Sequence, residues 1–191
     1  VNMLDRDISD QLRTLLSDML VYGAAAQQYV SYKTDALVTA DTDLTPTEFS
    51  AISERAVMLT GTEVADADWI GATLVLSNAV AVRFFFSAES IDGLQIKVSL
   101  NDRMQTFNSA DFTAVEGKEN VYYVDFTDIS ATELDDAVTA VFEKNGAALG
   151  RTVGYSANTY LYNMQNSTDE TLAALVRALY NYGESAKAYQ P

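Results

Sequence analysis

The sequence contains no cysteine and no histidine, which together removes thiol nucleophiles, disulfides, imidazole general bases and the commonest transition-metal ligands. Carboxylates, lysine, tyrosine, serine and threonine are the catalytic groups that remain. Lack of cysteine does not fix the compartment, because disulfides are expected chiefly where a secreted domain has too small a core. No run approaches the roughly 20 apolar residues of a membrane span. No signal peptide is recognisable, and Val1 as first residue suggests a segment of something longer. Positive charge is scarce: 12 Lys plus Arg against 27 Asp plus Glu give a net charge of −15, spread along the chain. A phosphate backbone is repelled by such a surface, so nucleic acid is not an expected partner. The acidic excess reads as a solvated surface that keeps the protein soluble.

What is present is a repeat. Leu15 to Tyr29 reads LLSDMLVYGAAAQQY and Leu175 to Tyr189 reads LVRALYNYGESAKAY. Aligned without a gap, the two segments share Leu15/Leu175, Tyr22/Tyr182, Gly23/Gly183, Ala26/Ala186 and Tyr29/Tyr189, with Leu16/Val176 and Met19/Leu179 as apolar equivalents. Positions 15, 19, 22, 26 and 29 advance by four and three residues in turn, so they form one stripe along a helix, and 175 to 189 repeat it. Nothing in the stripe is reactive, which favours a structural or binding protein over an enzyme. An interior glycine costs a helix about 1 kcal/mol relative to alanine. Gly23 and Gly183 are therefore expected to serve close approach of the helix to a sheet or to its twin; a stripe that docks a neighbouring module is the other reading.

The first helix is expected to begin between Asp5 and Ser9 and to run to about Tyr32, followed by a surface loop to Thr45. Thr45-Pro46-Thr47-Glu48 matches a capping box with proline at the first helical position, predicting a helical turn through about Ile52. From Val57 to Tyr155 the period changes to two, in Leu74/Leu76, Val80/Val82/Phe84/Phe86, Leu94/Ile96/Val98/Leu100 and Val138/Ala140/Phe142. Asn78, Ser90 to Gly93, Asn101-Asp102, Gly117 and Asn145-Gly146 punctuate the strands, and the last of these is a two-residue hairpin signal. Asp128 to Asp136 reads as a corner. Ser156 can cap a short helix carrying Tyr160, Leu161 and Met164, and Ser167-Thr168-Asp169-Glu170 is a capping box that starts the second long helix at about Thr168.

The pattern predicts a mainly β fold: an antiparallel Ig-like β-sandwich of about seven strands packed by N-terminal and C-terminal amphipathic helices. At 191 residues one domain is the economical reading, since a chain of this size buries roughly 70% of its unfolded surface. Residues 1–56 supply the N-terminal helix and loop, 57–155 the sandwich and 156–191 the C-terminal helices.

Candidate ligand-binding residues are aromatic, because flat rings on a sandwich face or loop tip stack on sugar rings in carbohydrate-binding modules. Trp69 lies in an acidic loop, Asp66-Ala67-Asp68-Trp69, and Phe85 and Tyr122 fall on the outward phase of their strands. The alternative is that Trp69 plugs the sandwich edge and that helices cover Phe85 and Tyr122. The pairs Asp66/Asp68, Asp41/Asp43 and Asp135/Asp136 offer oxygen ligands for calcium. No calcium loop of the D-x-D-x-D-G type occurs, so no metal and no cofactor is expected. The sequon Asn166-Ser167-Thr168 is discounted because its serine is needed as a cap.

The helices MLVYGAAAQQY and ALYNYGESAKAY, the strand pair LVLSNAVAVRFFFS and the segment DFTDISATELDDAVTAVFEKNGAALGRTVGYSANTYLYNMQN cover nearly the whole chain. In these segments it resembles a family of Ig-like sandwich modules with flanking YGxxA helices, found in secreted or cell-surface proteins of gut and rumen Firmicutes, some of which bear dockerins. That family brings no catalytic residues to carry over. The resemblance implies an extracellular or cell-surface bacterial setting and a monomeric, non-catalytic module for recognition or adhesion. The expected partner is a host or bacterial protein, an immunoglobulin being one host example. A plant or host polysaccharide is the alternative ligand, and a passive spacer the third reading.

Overall fold

The computed structural model describes Leu4 and residues 7–40, 43–77 and 79–189. Asp5, Asp41 and Asn78, each of which entered an expectation above, lie outside the described residues. The chain forms two compact units. One comprises residues 55–130 and 135–160 and holds the sheets; the other comprises 1–54, 131–134 and 161–191 and holds the long helices. The flanks that the sequence assigns to one domain thus come together as a unit of their own.

Among the described residues the sheet unit contains nine strands: β1 (Met58–Thr60), β2 (Ala67–Leu76), β3 (Val80–Ala88), β4 (Leu94–Leu100), β5 (Arg103–Asn108), β6 (Thr113–Ala114), β7 (Val121–Phe126), β8 (Val138–Lys144) and β9 (Ala147–Tyr155). They form a five-stranded sheet in the order β1-β9-β8-β4-β5 and a four-stranded sheet in the order β2-β3-β7-β6, with every pairing antiparallel. Alternation decides the facing: Val82, Phe84 and Phe86 of β3, Ile96, Val98 and Leu100 of β4, and Val138, Ala140 and Phe142 of β8 are all buried, while the residues between them are half-buried. Each large side chain fully buried in this way contributes about 1.5–3 kcal/mol. The Asn145-Gly146 turn is as expected. Both residues have positive φ, 55° and 78°, and Lys144 pairs directly with Ala147.

In the helical unit α1 (Asp10–Tyr29) packs against α3 (Glu170–Ala188). The boundary between the units falls inside α2 (Ala157–Met164), whose first backbone N–H groups are served by Ser156, as Thr159 N donates to its Oγ at 3.2 Å. Ser9 caps α1, accepting from Leu12 N at 3.3 Å. The helix stops at Tyr29 rather than Tyr32, and Ser31 and Lys33 then turn the chain with φ of 54° and 47°. For α3 the cap is Asp169, which accepts from Thr171 N and Leu172 N, so the helix begins at Glu170, beyond the expected Thr168. Ser167 instead accepts from Asp169 N.

The helical turn expected at 45–52 does not form. Thr45 N donates to Ser17 Oγ at 3.1 Å, and Thr47 gives both its N–H and its hydroxyl to the Asp18 carboxylate at 2.7 Å. Further along, Gln165 accepts from Ile52 N and donates to Ile52 O, and Asn181 donates to Thr47 O. The Thr45 N–H that Glu48 would accept in the capping box is taken by Ser17 instead. Residues 43–54 run without regular structure as a strap held by polar side chains of α1, α3 and residue 165.

Candidate functional site

The outer faces of the two sheets differ in chemistry. On the five-stranded sheet the outward residues of β4 make polar cross-strand pairs, Lys97 with Glu143 at 2.6 Å, Ser99 with Thr139 at 2.8 Å and Gln95 with Asn108 at 2.7 Å, with one exposed apolar side chain, Met104, opposite Ser99. On the four-stranded sheet the outward row of β3 is Arg83, Phe85, Ser87 and that of β7 is Val121, Tyr123, Asp125, with Arg83 opposite Asp125 and Phe85 opposite Tyr123. The Arg83 guanidinium donates twice to Asp125, at 2.7 and 2.8 Å, and lies 3.8 Å from the centre of the Tyr123 ring. Hydrogen bonding to Asp125 raises the Arg83 pKa above its ordinary value, against a smaller opposing effect of burial and with a still smaller Coulombic contribution from Asp125. Phe85 sits 5.8 Å from Tyr123, its ring tilted by 55°.

A β-bulge at Trp69/Gly71 re-aims this part of β2. Ile70, the extra residue, is 57% exposed. Gly71 stands opposite Phe85, and a side chain placed on it would meet no atom within 4 Å, so open space lies beside the Phe85 ring. Ile70, Gly71, Phe85, Tyr123 and the Arg83–Asp125 pair thus form one surface. Its cation is held in place, and its apolar groups reach solvent.

Of the three aromatic residues singled out in the sequence, Phe85 alone faces outward. Trp69 lies inside the sandwich, 6% exposed, stacked on Phe142 at 4.0 Å and 14°, with Nε1 donating to Arg151 O at 2.8 Å. It belongs to a strand and not to a loop. Tyr122 pairs with Phe86 and stacks on it at 5.6 Å, on the inner phase. The residue that sequence reasoning missed is Tyr123. The signal was present in VYYVDF: an outward Asp125 puts Tyr123 on its face and sends Tyr122 inward with Val124 and Phe126.

Two of the carboxylate pairs, Asp66/Asp68 and Asp135/Asp136, are engaged by other groups, and Asp41 of the third lies outside the described residues. Arg151 makes a bidentate bridge to Asp68, Lys144 lies 3.7 Å from Asp66, Arg55 bridges Asp135, and Asn101 donates to Asp136. Among the described residues no three acidic side chains converge as a metal site would require.

In the helical unit two counterparts of the repeat stack on each other. Tyr22 stacks on Tyr182, its counterpart, with ring centres 5.8 Å apart and planes 14° from parallel. The rest of the stripe is unequal. Leu175, Leu179 and Gly183 are buried and Ala186 and Tyr189 half-buried, whereas Leu15, Gly23 and Ala26 are half-buried and Met19 and Tyr29 are 40% and 38% exposed. The most buried positions of α1 are instead Ser17, Asp18, Ala24 and Ala25. Neither glycine marks the contact between the twins: a side chain on Gly23 would meet Val38, and one on Gly183 would meet Leu134 and Ala131. A cavity of about 490 Å³ between the start of α1 and the end of α3 is lined by Asp10, Gln11, Thr14, Thr47, Glu184 and Ser185, among others. It includes none of the stripe residues.

The fold and the surface define an antiparallel two-sheet β-sandwich with one aromatic outer face, joined to a paired-helix unit. Comparison with protein-family models, with curated proteins and with solved structures gives no match. No helix among the described residues is long and apolar enough to cross a membrane.

Proposed function

We propose that the protein is a non-catalytic recognition module of an extracellular or surface-attached bacterial protein, and that it binds a protein partner through the outer face of the four-stranded sheet. The observation that carries this reading is the preset surface of Phe85, Tyr123 and Arg83 beside the exposed Ile70. Aromatic residues and arginine dominate the energetic centres of protein interfaces, and a side chain already fixed before binding loses little entropy there. Arg83 is fixed by Asp125 and by the Tyr123 ring. A sugar platform fits less well, because one face of Tyr123 is occupied by the guanidinium and Phe85 is tilted away from its plane.

The test places a photoreactive benzoylphenylalanine at Ile70 and, as control, at Thr106 on the outer face of the five-stranded sheet. Each is exposed to extracellular proteins of the host and of neighbouring bacteria. The expected outcome is protein adducts from position 70 that vanish in the F85A/Y123A background and are absent from position 106. Any captured protein should then bind the purified chain directly and lose affinity for Phe85→Ala. Equal labelling from both faces would end this reading. Retardation by a glycan gel that Phe85→Ala abolishes would favour polysaccharide; Trp69→Ala is unsuited as that control, since it empties the core.

A further inference from the structure

The outward row of β3 does not end at Phe85. Two residues on, Ser87 lines a cleft of about 330 Å³ whose other walls include Glu63, Asp68, Glu89 and Asn120. Residues two apart on a strand face are separated by about 7 Å. The aromatic surface therefore runs directly into this cleft. Its charge is one-sided. Asp68 is bridged by Arg151, and Glu63 lies 3.9 Å from the same guanidinium with its side chain 70% exposed. Glu89, also exposed, forms no ion pair among the described residues. Lys144 borders the adjoining cleft that Glu89 also lines, 3.7 Å from Asp66, so four carboxylates here are answered by two cations, Arg151 and Lys144. Lys118, in the neighbouring loop, is flanked by Glu116 and Glu119. On the face itself Arg83 is neutralised by Asp125, so it offers no free cation to an acidic partner.

We infer that the partner is a basic protein segment that sets a large apolar side chain against Ile70, Gly71 and Phe85 and a lysine or arginine into the cleft at Ser87 and Glu89. The inference rests on the protein-recognition reading above and specifies its partner. Charge complementarity is what selects the occupant: a chain of net charge −15 repels acidic partners and second copies of itself. The apolar contact supplies attraction, and the cleft supplies selection by charge.

Blocked pentapeptides with the sequence Gly-Phe-Thr-Xaa-Gly, where Xaa is arginine, glutamate or alanine, probe the two halves separately. Each is titrated into the full chain and followed by amide NMR shifts. The arginine peptide should move Gly71, Phe85, Ser87 and Glu89 together and bind at least about tenfold more tightly than the glutamate peptide. The E63Q/E89Q double variant should remove that advantage, and the alanine peptide should move the Gly71 and Phe85 signals alone. Equal affinities for the arginine and glutamate peptides, or an unchanged affinity in E63Q/E89Q with loss in Phe85→Ala, overturn the basic partner while leaving protein recognition on this face intact. No shift at Gly71 or Phe85 with any peptide overturns the inference. If an oligosaccharide then moves those signals, the protein-recognition reading falls as well.

Discussion

Gly23 and Gly183 occupy the same place in the repeat, yet their surroundings predict opposite responses to alanine. At Gly183 a Cβ would lie 2.6 Å from Leu134 Cδ1 and 3.0 Å from the backbone oxygen of Ala131. Leu134 is buried, so it cannot swing into solvent. Overpacking of this kind costs about 1–3 kcal/mol and outweighs the helix-propensity gain of about 1 kcal/mol at the upper end of that range. At Gly23 the nearest atom is a methyl of Val38 at 3.2 Å, and Val38 is 44% exposed and free to yield. Gly183→Ala should therefore lower the melting temperature and Gly23→Ala raise it by about 2–4 °C. A rise in both would mean that the contact with Leu134 is soft. Tyr155 gives a second residue-scale prediction. Burial, with a smaller push from Tyr160, raises its hydroxyl to about 12. An unfolded tyrosine ionises near about 10. Below pH 10 both states hold the proton and the stability contribution is whole. Between about pH 10 and 12 the unfolded chain releases the proton first, so the folded state loses ground as pH rises. Tyr155→Phe should flatten the fall in melting temperature over that window, and parallel curves for the two proteins would contradict it.

The strap at 43–54 shows how an element is decided by side chains far away in the sequence. Asp18 is 1% exposed, and its carboxylate accepts both bonds from Thr47. Hydrogen bonds to a charged group are worth about 1.5–3 kcal/mol each. Asp18→Ala should cost about 2–4 kcal/mol and release the Thr47 amide to fast hydrogen exchange. Asp18→Asn should cost less, because its amide oxygen still accepts from Thr47 N and its amide nitrogen can donate to the Thr47 hydroxyl. The same element marks a boundary of what the sequence makes legible. Strand alternation in β3, β4 and β8 and the Asn145-Gly146 turn are local signals, and the structure follows them. The capping box at Thr45 is a local signal too, but Ser17 and Asp18 are 28 and 29 residues away and win the same donors. Trp69 escaped for a related reason. Its acidic neighbours look like a loop until Arg151, which reaches across from β9, pairs with Asp68. The Phe85 face was half legible: alternation exposes Phe85, whereas its pairing with Tyr123 and the opening at Gly71 depend on register and on a bulge.

At the scale of the whole molecule the unbalanced quantity is charge. In the sandwich unit Arg55, Arg83, Lys97, Lys144 and Arg151 each contact a carboxylate, and Arg103 donates to Asp128 O. Acids outnumber these cations, and the net charge of the chain is −15. Salt acts on both populations. It weakens the bridges, but these are partly exposed and each is worth at most about 1 kcal/mol. It also screens the mutual repulsion of the surplus carboxylates, which acts across the whole surface and is relieved once the Debye length falls from about 30 Å to a few ångströms. Repulsion among like charges destabilises the compact state, so its relief should dominate. Raising sodium chloride from about 0.01 M to about 0.5 M should lift the melting temperature by about 2–5 °C. The double variant Lys97→Met/Glu143→Leu, which removes one bridge without changing net charge, should show the same salt increment as the wild type or a larger one. If the melting temperature falls with salt, the bridges outweigh the repulsion. The acidic excess would then be balanced within the fold, leaving less of it to select a basic partner.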